Sequence, residues 1–373
     1  MTNIPHRILR PVDYKYVVTD LRNNRILGVL PFKGVSYSNM LSQPGEFSGE
    51  IQVNLDTRTF GLRENTVPGR TGLYVVREGK PIWGGIIWKR RYSAPNRALE
   101  VEASTFESYF YKRFNRLTRR WSQTDQLQIA RQLTESIAAD IVTTVDNKTS
   151  GRSRDRSVYA HEFKRAGEEL EQLGNLIDGF DWNVVLTRGQ GMEIFRHLTF
   201  FYPERGVSKK DTTLSFEYPG SISAFEFSED ADEGANRIWA IGAGDAEEQI
   251  TAYAENKNGN WPPLEETQAY KSVSRKNTLQ AHANSDLTRL NSPVEIAEVT
   301  VRSDIEPFLG SYEPGDWARF VFSDDYFNPP FATMMRIIGY NVSVGDDGLE
   351  QIGLTVNTER EELAPGEYEE TDE

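Results

Sequence analysis

The stretch GGIIWKRRY, residues 84–92, has a partial echo late in the chain, MRIIGYNVS, residues 335–343. Working outward from the two isoleucine pairs, the surroundings share an order. Before Ile86-Ile87 come residues 51–55, with Ile51, Val53 and Leu55 on one face, then Pro68-Gly69, then the apolar run 73–76; after it come a turn at Pro95-Asn96 and a strand over 99–103. Around Ile337-Ile338 the same series runs as 297–301, Pro314-Gly315, 317–322, a turn at Asp346-Asp347-Gly348, and 352–356. Period-two alternation punctuated by Pro-Gly turns is the mark of antiparallel sheet. Its recurrence predicts two similar β domains, one toward each end. The competing reading is chance, since such turns and alternating Val/Ile occur in every antiparallel sheet.

Between these regions the period changes. Residues 14–20 and 26–30, joined by a polar turn at 22–25, read as a hairpin that belongs to the first domain. Leu127, Ala130, Leu133 and Ile137 then fall on one face of a helix, with Thr124 and Asp125 placed to cap it. A second helix is expected over 160–178 with a stripe of Phe163, Ala166, Leu170, Leu173 and Ile177, and a third over about 277–290 with Leu279, Ala283, Leu287 and Leu290. The polar stretch 146–157 reads as a loop, and further strands are expected at 182–186, 192–195, 213–216, 222–227, 237–241, 316–322, 334–344 and 351–356. The fold class is therefore α+β, mainly β. The expected divisions are a first β domain at 1–108, a helix-containing middle region with strands at 109–220, a second β domain at 221–357 carrying the inserted helix, and an acidic flexible tail at 358–373.

The 373 residues suffice for two or three domains, and 38% hydrophobic with 11% aromatic residues suits a folded chain. With no cysteine, disulfides, cysteine zinc sites and thiol nucleophiles are excluded. No run approaches the roughly 18 to 20 apolar residues of a membrane helix, and residues 1–18 lack a signal-peptide core, so a soluble chain without membrane insertion is expected. Of the formal charge of −14, half lies in residues 359–373, where eight acidic residues face Arg360 alone. The remaining body is still mildly acidic, which argues against a general nucleic-acid-binding surface.

Catalytic and metal-binding patterns are missing. The histidines His6, His161, His197 and His282 stand singly. His161-Glu162 opens like a zinc-protease helix, but the position of the second histidine is Arg165. Gly242-Ala243-Gly244 lacks the third glycine of a dinucleotide loop. No cofactor or metal is expected. The one concentrated basic segment is YFYKRFNRLTRRW, residues 109–121, where Lys112, Arg113, Arg116, Arg119 and Arg120 alternate with aromatics ending at Trp121. Such a segment can stack on single-stranded nucleic acid, meet an acidic patch on another subunit, or simply pack its apolar members on a sheet. In so acidic a chain an acidic partner suits it better than DNA, so these six residues are candidates for a partner interface.

Several segments together resemble the tail-hub (baseplate hub, tail-associated) minor tail proteins of long-tailed bacteriophages, as in phages of actinobacteria. They are PGEFSGEIQVNL (44–55), GLYVVREGKPIWGGIIW (72–88), the arginine-rich run before TDQLQIARQL (124–133), ANRIWAIGAG (235–244), the helix over 279–290, YEPGDWARFVF (312–322) and MRIIGYNVSVGDDGLEQIGLTV (335–356). The resemblance covers residues 14–356 and rests on order and spacing. It implies that both end domains are tail-tube-like and that three chains present six such domains around one axis. It further implies a non-enzymatic virion protein at the distal tail tip, made in the host cytoplasm. Its partners would be a distal tail or tube ring protein above, a tip or central fibre protein below, the tape measure protein as a further candidate, and genomic DNA passing through unbound. Some such proteins continue into a peptidoglycan hydrolase; here the sequence ends soon after the second β domain, and no lytic activity is expected. Two rivals are a wall-carbohydrate-binding module, prompted by the seven tryptophans, and a carboxylate-pair hydrolase.

Overall fold

The computed structural model describes residues 12–141, 144–229, 231, 234–244, 248–256, 262–291, 294–295 and 298–357. His6, Trp261 and the acidic tail lie outside them. The fold is α+β and mainly β. Among the described residues the chain divides into two compact units, the first made of residues up to 225 and 298–357, less a short segment at 175–179, and the second of 226–295 with that segment.

Unit 1 begins with strands β1 (Tyr14–Asp20), β2 (Ile26–Leu30), β3 (Lys33–Met40) and β4 (Glu46–Gln52). The short helix α1 (Leu62–Asn65) then leads to β5 (Thr71–Arg77), β6 (Lys80–Ser93) and β7 (Ala98–Thr105). Strand β4 shows why the sequence folds this way: Phe47, Gly49 and Ile51 are buried while Glu46, Ser48, Glu50 and Gln52 are exposed. The expected continuation to Leu55 does not occur. The strand stops at Gln52, Thr57 closes a turn by accepting from the amide of Asn54 (2.8 Å), and Leu55 is 83% exposed. Strand β3 went unread in the sequence, because its short polar side chains (Ser36, Ser38, Asn39) dilute the apolar alternation.

The middle of unit 1 holds β8 (Arg119–Asp125), α2 (Gln126–Ala138), β9 (Thr144–Val145), β10 (Ser153–Val158), α3 (Ala166–Gly174), β11 (Asp181–Arg188), β12 (Ile194–Phe201) and β13 (Ser215–Tyr218). Asp125 caps α2 through the amide of Leu127 (2.9 Å), whereas the Thr124 hydroxyl turns to the carbonyl of Ser122. Two expectations change here. The helix expected over 160–178 is only α3; Phe163 takes a left-handed φ of 49° and is 64% exposed, which breaks the run before Ala166. Residues 153–157 of the expected loop at 146–157 belong to strand β10, whose Arg156 side chain is buried against Glu169 at 2.6 Å. A charged strand of this kind has no hydrophobic alternation to announce it.

The chain continues through β14 (Ile222–Phe225), leaves for unit 2, and returns as β20 (Glu298–Val301), β21 (Trp317–Phe322), β22 (Phe331–Val344) and β23 (Glu350–Asn357). These join the first set in one 13-stranded sheet. Within it the order β3-β4-β7-β6-β5 is repeated as β14-β20-β23-β22-β21, with every neighbouring pair antiparallel in both sets. The details agree as well. Strands β6 and β22 each have 14 residues, and each bulges against its partner, at Trp88 and at Ile338. The amide of Gly69 donates to Ile87 O and that of Gly315 to Ile337 O, both at 2.7 Å. Both glycines have positive φ, 71° and 110°, where a side chain would be strained. The equivalence therefore pairs Ile87 with Ile337, one residue away from the register of the isoleucine echo.

Unit 2 contains β15 (Ser228–Glu229), β16 (Arg237–Ile241), β17 (Thr251–Glu255), β18 (Glu265–Ala269), α4 (Lys276–Leu290) and β19 (Val294–Glu295). In sequence it occupies the place between β14 and β20 that a five-residue loop, 41–45, fills between β3 and β4. β16 pairs antiparallel with β17 and parallel with β18. Its own core joins Ile238, Ala240, Ala252, Ala254 and Tyr270 to Leu279 and Ala283 of α4, with Leu287 and Leu290 at the margin. The alanines let the helix lie close to the sheet.

Candidate functional site

The repeat of strand order gives the large sheet one feature that neither set has alone. Strand β3 lies antiparallel against β22, from Val35 opposite Val344 to Met40 opposite Gly339, and so joins the two sets edge to edge. Alternation along every strand then sorts side chains to the same two sides. Val35, Tyr37, Phe47, Ile51, Val101, Val299, Tyr340, Val342, Ile352 and Leu354 are buried. The other side carries Glu298, Gln351, Asn341, Ser343, Ser36, Glu46, Ser48, Glu50, Glu102, Lys89 and Arg91, all exposed. Asn341 donates to Glu298 (3.1 Å), the Ser36 and Ser48 hydroxyls meet at 2.9 Å, and Lys89 reaches Glu102 at 2.7 Å. The result is a continuous face of small polar and charged groups running through both sets and across the seam.

Buried charges lock this arrangement. Arg77 on β5 donates to Glu350 of β23 through two bonds, 2.6 and 2.8 Å, and to Leu309 O at 3.1 Å. The same carboxylate accepts from Tyr14, whose hydroxyl also meets Tyr37 at 3.0 Å. Burial first, and then the charge of Glu350, push the Tyr14 hydroxyl far above its ordinary value, so it stays a donor. Around β22, Arg336 is 1% exposed and donates to Asp181, to Gly315 O (3.1 Å) and to Arg205 O (2.9 Å). Glu107 is 3% exposed and accepts from Val184 N (2.7 Å) and Asn183 (3.3 Å). These carboxylates accept from arginine, tyrosine or amide donors that tie together strands far apart in sequence. Among the described residues no cluster of His, Asp and Glu could hold a metal ion, and no helix is long and apolar enough to cross a membrane.

The basic segment forms a 3-10 turn over Phe106–Lys112 followed by β8. Arg113 holds Asp140 and Tyr109, Arg119 donates to Gln132 O, and Trp121 is buried with its indole N–H on Gln132 (2.7 Å). Lys112 lies over the Trp88 ring at 5.6 Å and Arg120 over Tyr159 at 5.6 Å. Arg116 is exposed with no ion pair among the described residues. The six candidates thus do not converge on one point: three fasten the segment to α2 and its surroundings, and Lys112, Arg116 and Arg120 face outward. The seam strand β3 is the element of this candidate site that sequence reasoning missed. The one signal that could have found it is the alternation of Val35, Tyr37 and the serines between them.

Solved structures share this architecture over nearly the whole chain. A prophage MuSo2 43 kDa tail protein from Shewanella oneidensis aligns with a TM-score of 0.64 at 13% identity, covering 94% of this chain and all of its own. A tail protein from Neisseria meningitidis MC58 gives 0.58 at 13% identity over 92% of this chain and 96% of that one. Prophage tail protein gp18 from Listeria monocytogenes EGD-e gives 0.55 at 14% identity, with 92% and 95% covered. The fold is that of phage tail proteins. No family model matches the chain, and no curated protein matches it in sequence.

Proposed function

We propose that the protein is a structural, non-enzymatic tail-hub component of a bacteriophage virion, acting as a homotrimer at the distal tail end. The observation that carries this is the repeated strand order within one continuous sheet. A chain that presents two equivalent five-strand sets edge to edge supplies two of six positions around an axis, so three copies complete a six-fold ring while keeping three-fold symmetry. Closure of that kind leaves no sheet edge open to aggregation. Such a ring can meet a six-fold tube or distal tail ring on one side and a three-fold tip or fibre on the other, with the tape measure protein as a further neighbour. The polar face is the side we assign to the channel, where carboxylates and small hydroxyls would let DNA pass without adhering. Shared fold with three tail proteins supports the setting; the siphoviral and actinobacterial-phage placement rests on the sequence resemblance alone.

The test is stoichiometry. Light scattering of the purified chain should give a trimer mass, and a map of assembled tail tips should show three chains as six similar modules around a channel. A monomer at high concentration, with no such ring in the particle, would overturn the reading. One observation favours a second reading for unit 2: Trp239, 42% exposed, lies 4.5 Å from Tyr253 across the open side of its sheet. Paired aromatics of this kind can seat a sugar ring, and glycan binding that is lost in Trp239→Ala would establish it.

A further inference from the structure

Two surface features of unit 1 complement each other. The first is a hairpin tip. Strands β5 and β6 are joined by two residues, Glu78 and Gly79, but their equivalents β21 and β22 are joined by eight, SDDYFNPP, residues 323–330. Phe327 roots this tip among Phe225, Phe322 and Phe331, at 6.0, 6.0 and 5.7 Å between ring centroids. Asp324 stiffens it by accepting from the amides of Tyr326 and Phe327, both at 2.9 Å. Tyr326 is left 72% exposed, and Asp325 is exposed with no ion pair among the described residues. The second feature is a platform where the basic segment meets residues 163–166. The amide of Asn115 donates to Lys164 O (3.0 Å) and that of Ala166 to Arg113 O (2.9 Å), which sets Phe114 and Phe163 edge to face at 6.2 Å, with Leu117 three residues on. The left-handed backbone of Phe163 is costly for a non-glycine residue and persists only where its surroundings impose it. After Leu55, the most exposed large apolar side chains among the described residues are Tyr326, Phe163 and Leu117 (60%), so tip and platform hold three of the first four. Lys164 and Arg165 pair with Glu162 and Glu168 at 3.4 and 3.6 Å, whereas Lys112, Arg116 and Arg120 make no ion pair among the described residues and leave the platform positive.

We propose that the 323–330 tip of one copy docks on the Phe114–Phe163 platform of the next, with Tyr326 against the rings and Asp325 beside Arg116. This rests on the trimeric reading above and names a side-chain contact that would join its copies. Position supports it first. Within a chain the second strand set meets the first along β22, so its other end is β14, which also ends the sheet order. The tip is rooted at that end, through Phe225 of β14. The first set meets the second along β3, so its other side is the one that carries β6. The platform segment is fastened there: Lys112 lies over Trp88 of β6, and the Trp88 indole donates to Ser108 at 2.9 Å. In a ring that alternates the two sets, the β14 end of one copy faces the β6 side of the next. Charge supports it second. The tip carries Asp324 and Asp325 and no cation, and the platform has three cations to spare. Such complementarity favours tip on platform over either feature on its own kind, and arginine with aromatic rings is a pairing that protein interfaces favour. The join within a chain is covalent and held in register by β3 against β22. A join between copies has no such tether, which accounts for a hairpin enlarged in the second set and not in the first.

The absence of cysteine makes the test clean. Chains carrying Asp325→Cys and chains carrying Arg116→Cys, co-expressed and treated with a short bismaleimide, should give a covalent dimer that neither gives alone. The double variant should give dimer and trimer and stop there. Both positions are exposed, so thermal melts should be unchanged. Charge reversal reads the same contact independently. Arg116→Glu should raise the concentration at which trimers half-dissociate by about tenfold, and adding Asp325→Arg should restore it, as a coupled pair requires and two independent losses do not. No covalent dimer, with dissociation unchanged in Arg116→Glu, would sink this contact while leaving the trimer standing. An internally looped monomer in the double variant, with no dimer from the co-expressed single ones, would sink it too, by placing tip and platform of one chain together. So would equal cross-linking of Asp325→Cys to Glu193→Cys, which would reveal mere collision. An Arg116→Glu chain that trimerises normally but fails to enter tails would assign the platform to a different acidic protein. A monomer by native mass is the distinct result that removes the trimeric reading itself, and this contact with it.

Discussion

Arg336 shows how much of unit 1 depends on a single side chain. It sits inside MRIIGYNVS, on a strand, where period-two reading gives its position but not its fate. Burial of a guanidinium requires a partner, and the partner is Asp181, 155 residues away in sequence. That distance is why the residue could not be read as core from the sequence. Replacing it with methionine keeps much of the volume but strands the Asp181 carboxylate, which also accepts the amide of Arg205 at 2.7 Å. Breaking a buried pair in this way costs on the order of 3–5 kcal/mol. Arg336→Met should lower the urea midpoint of unit 1 accordingly, and adding Asp181→Asn should recover part of the loss; an unchanged midpoint would show that the pair is not what holds β22. The isoleucine echo misleads at this same scale. Apolar residues occupy both the inward position and the bulge, so the eye aligns Ile86 with Ile337 where the hydrogen bonds align Ile87.

Elements with a clean period were legible, and those whose burial depends on charge or on small polar residues were not. β1, β2 and α4 stand within a residue of expectation, each marked by its own turn or apolar stripe. β3, with serines alternating against Val35 and Tyr37, and β10, with arginines alternating, were lost. α4 offers a test at this scale. Its His282 is 4% exposed and stacks on Tyr270, centroids 4.5 Å apart, with the Asp286 carboxylate accepting from that tyrosine's hydroxyl. Burial, outweighing the nearby Asp286, holds the imidazole below its ordinary 6.5. The unfolded chain therefore takes up a proton before the folded unit does. Stability of unit 2 should be complete above about pH 6.5 and fall as the pH drops toward the lowered folded value. The protection factors of the α4 amides, taken against the intrinsic rate at each pH, should fall from pH 7 to 5 in the wild type and fall less in His282→Gln. Parallel behaviour of the two would show that the ring does not govern this element.

For the whole molecule the proposed trimer turns on which side of the sheet would face its channel, and no stretch of one chain can announce that, because such a channel would exist only between copies. The sequence shows an acidic body; the folded chain shows where part of that charge gathers. Glu46, Glu50 and Glu298 stand exposed on the polar face, spread over both strand sets, while Lys89 and Arg91 there are matched by Glu102 and Glu100. If this face lines a conduit, its carboxylates keep phosphates from settling, and reversing them should create the adhesion that the wild type avoids. The variant Glu46→Lys/Glu50→Lys/Glu298→Lys should retard duplex DNA at about 0.15 M salt, where the Debye length is near 8 Å, and lose that binding steeply as salt rises, since each phosphate contact releases counterions. Particles built with it should release their genome more slowly than wild type at the same salt. Three reversals at exposed carboxylates outside the large sheet, Glu162, Glu168 and Glu193, serve as the control, because they alter net charge equally without touching this face. Equal retention and equal ejection for the two variants would mean that total charge, and not the polar face, governs how DNA passes.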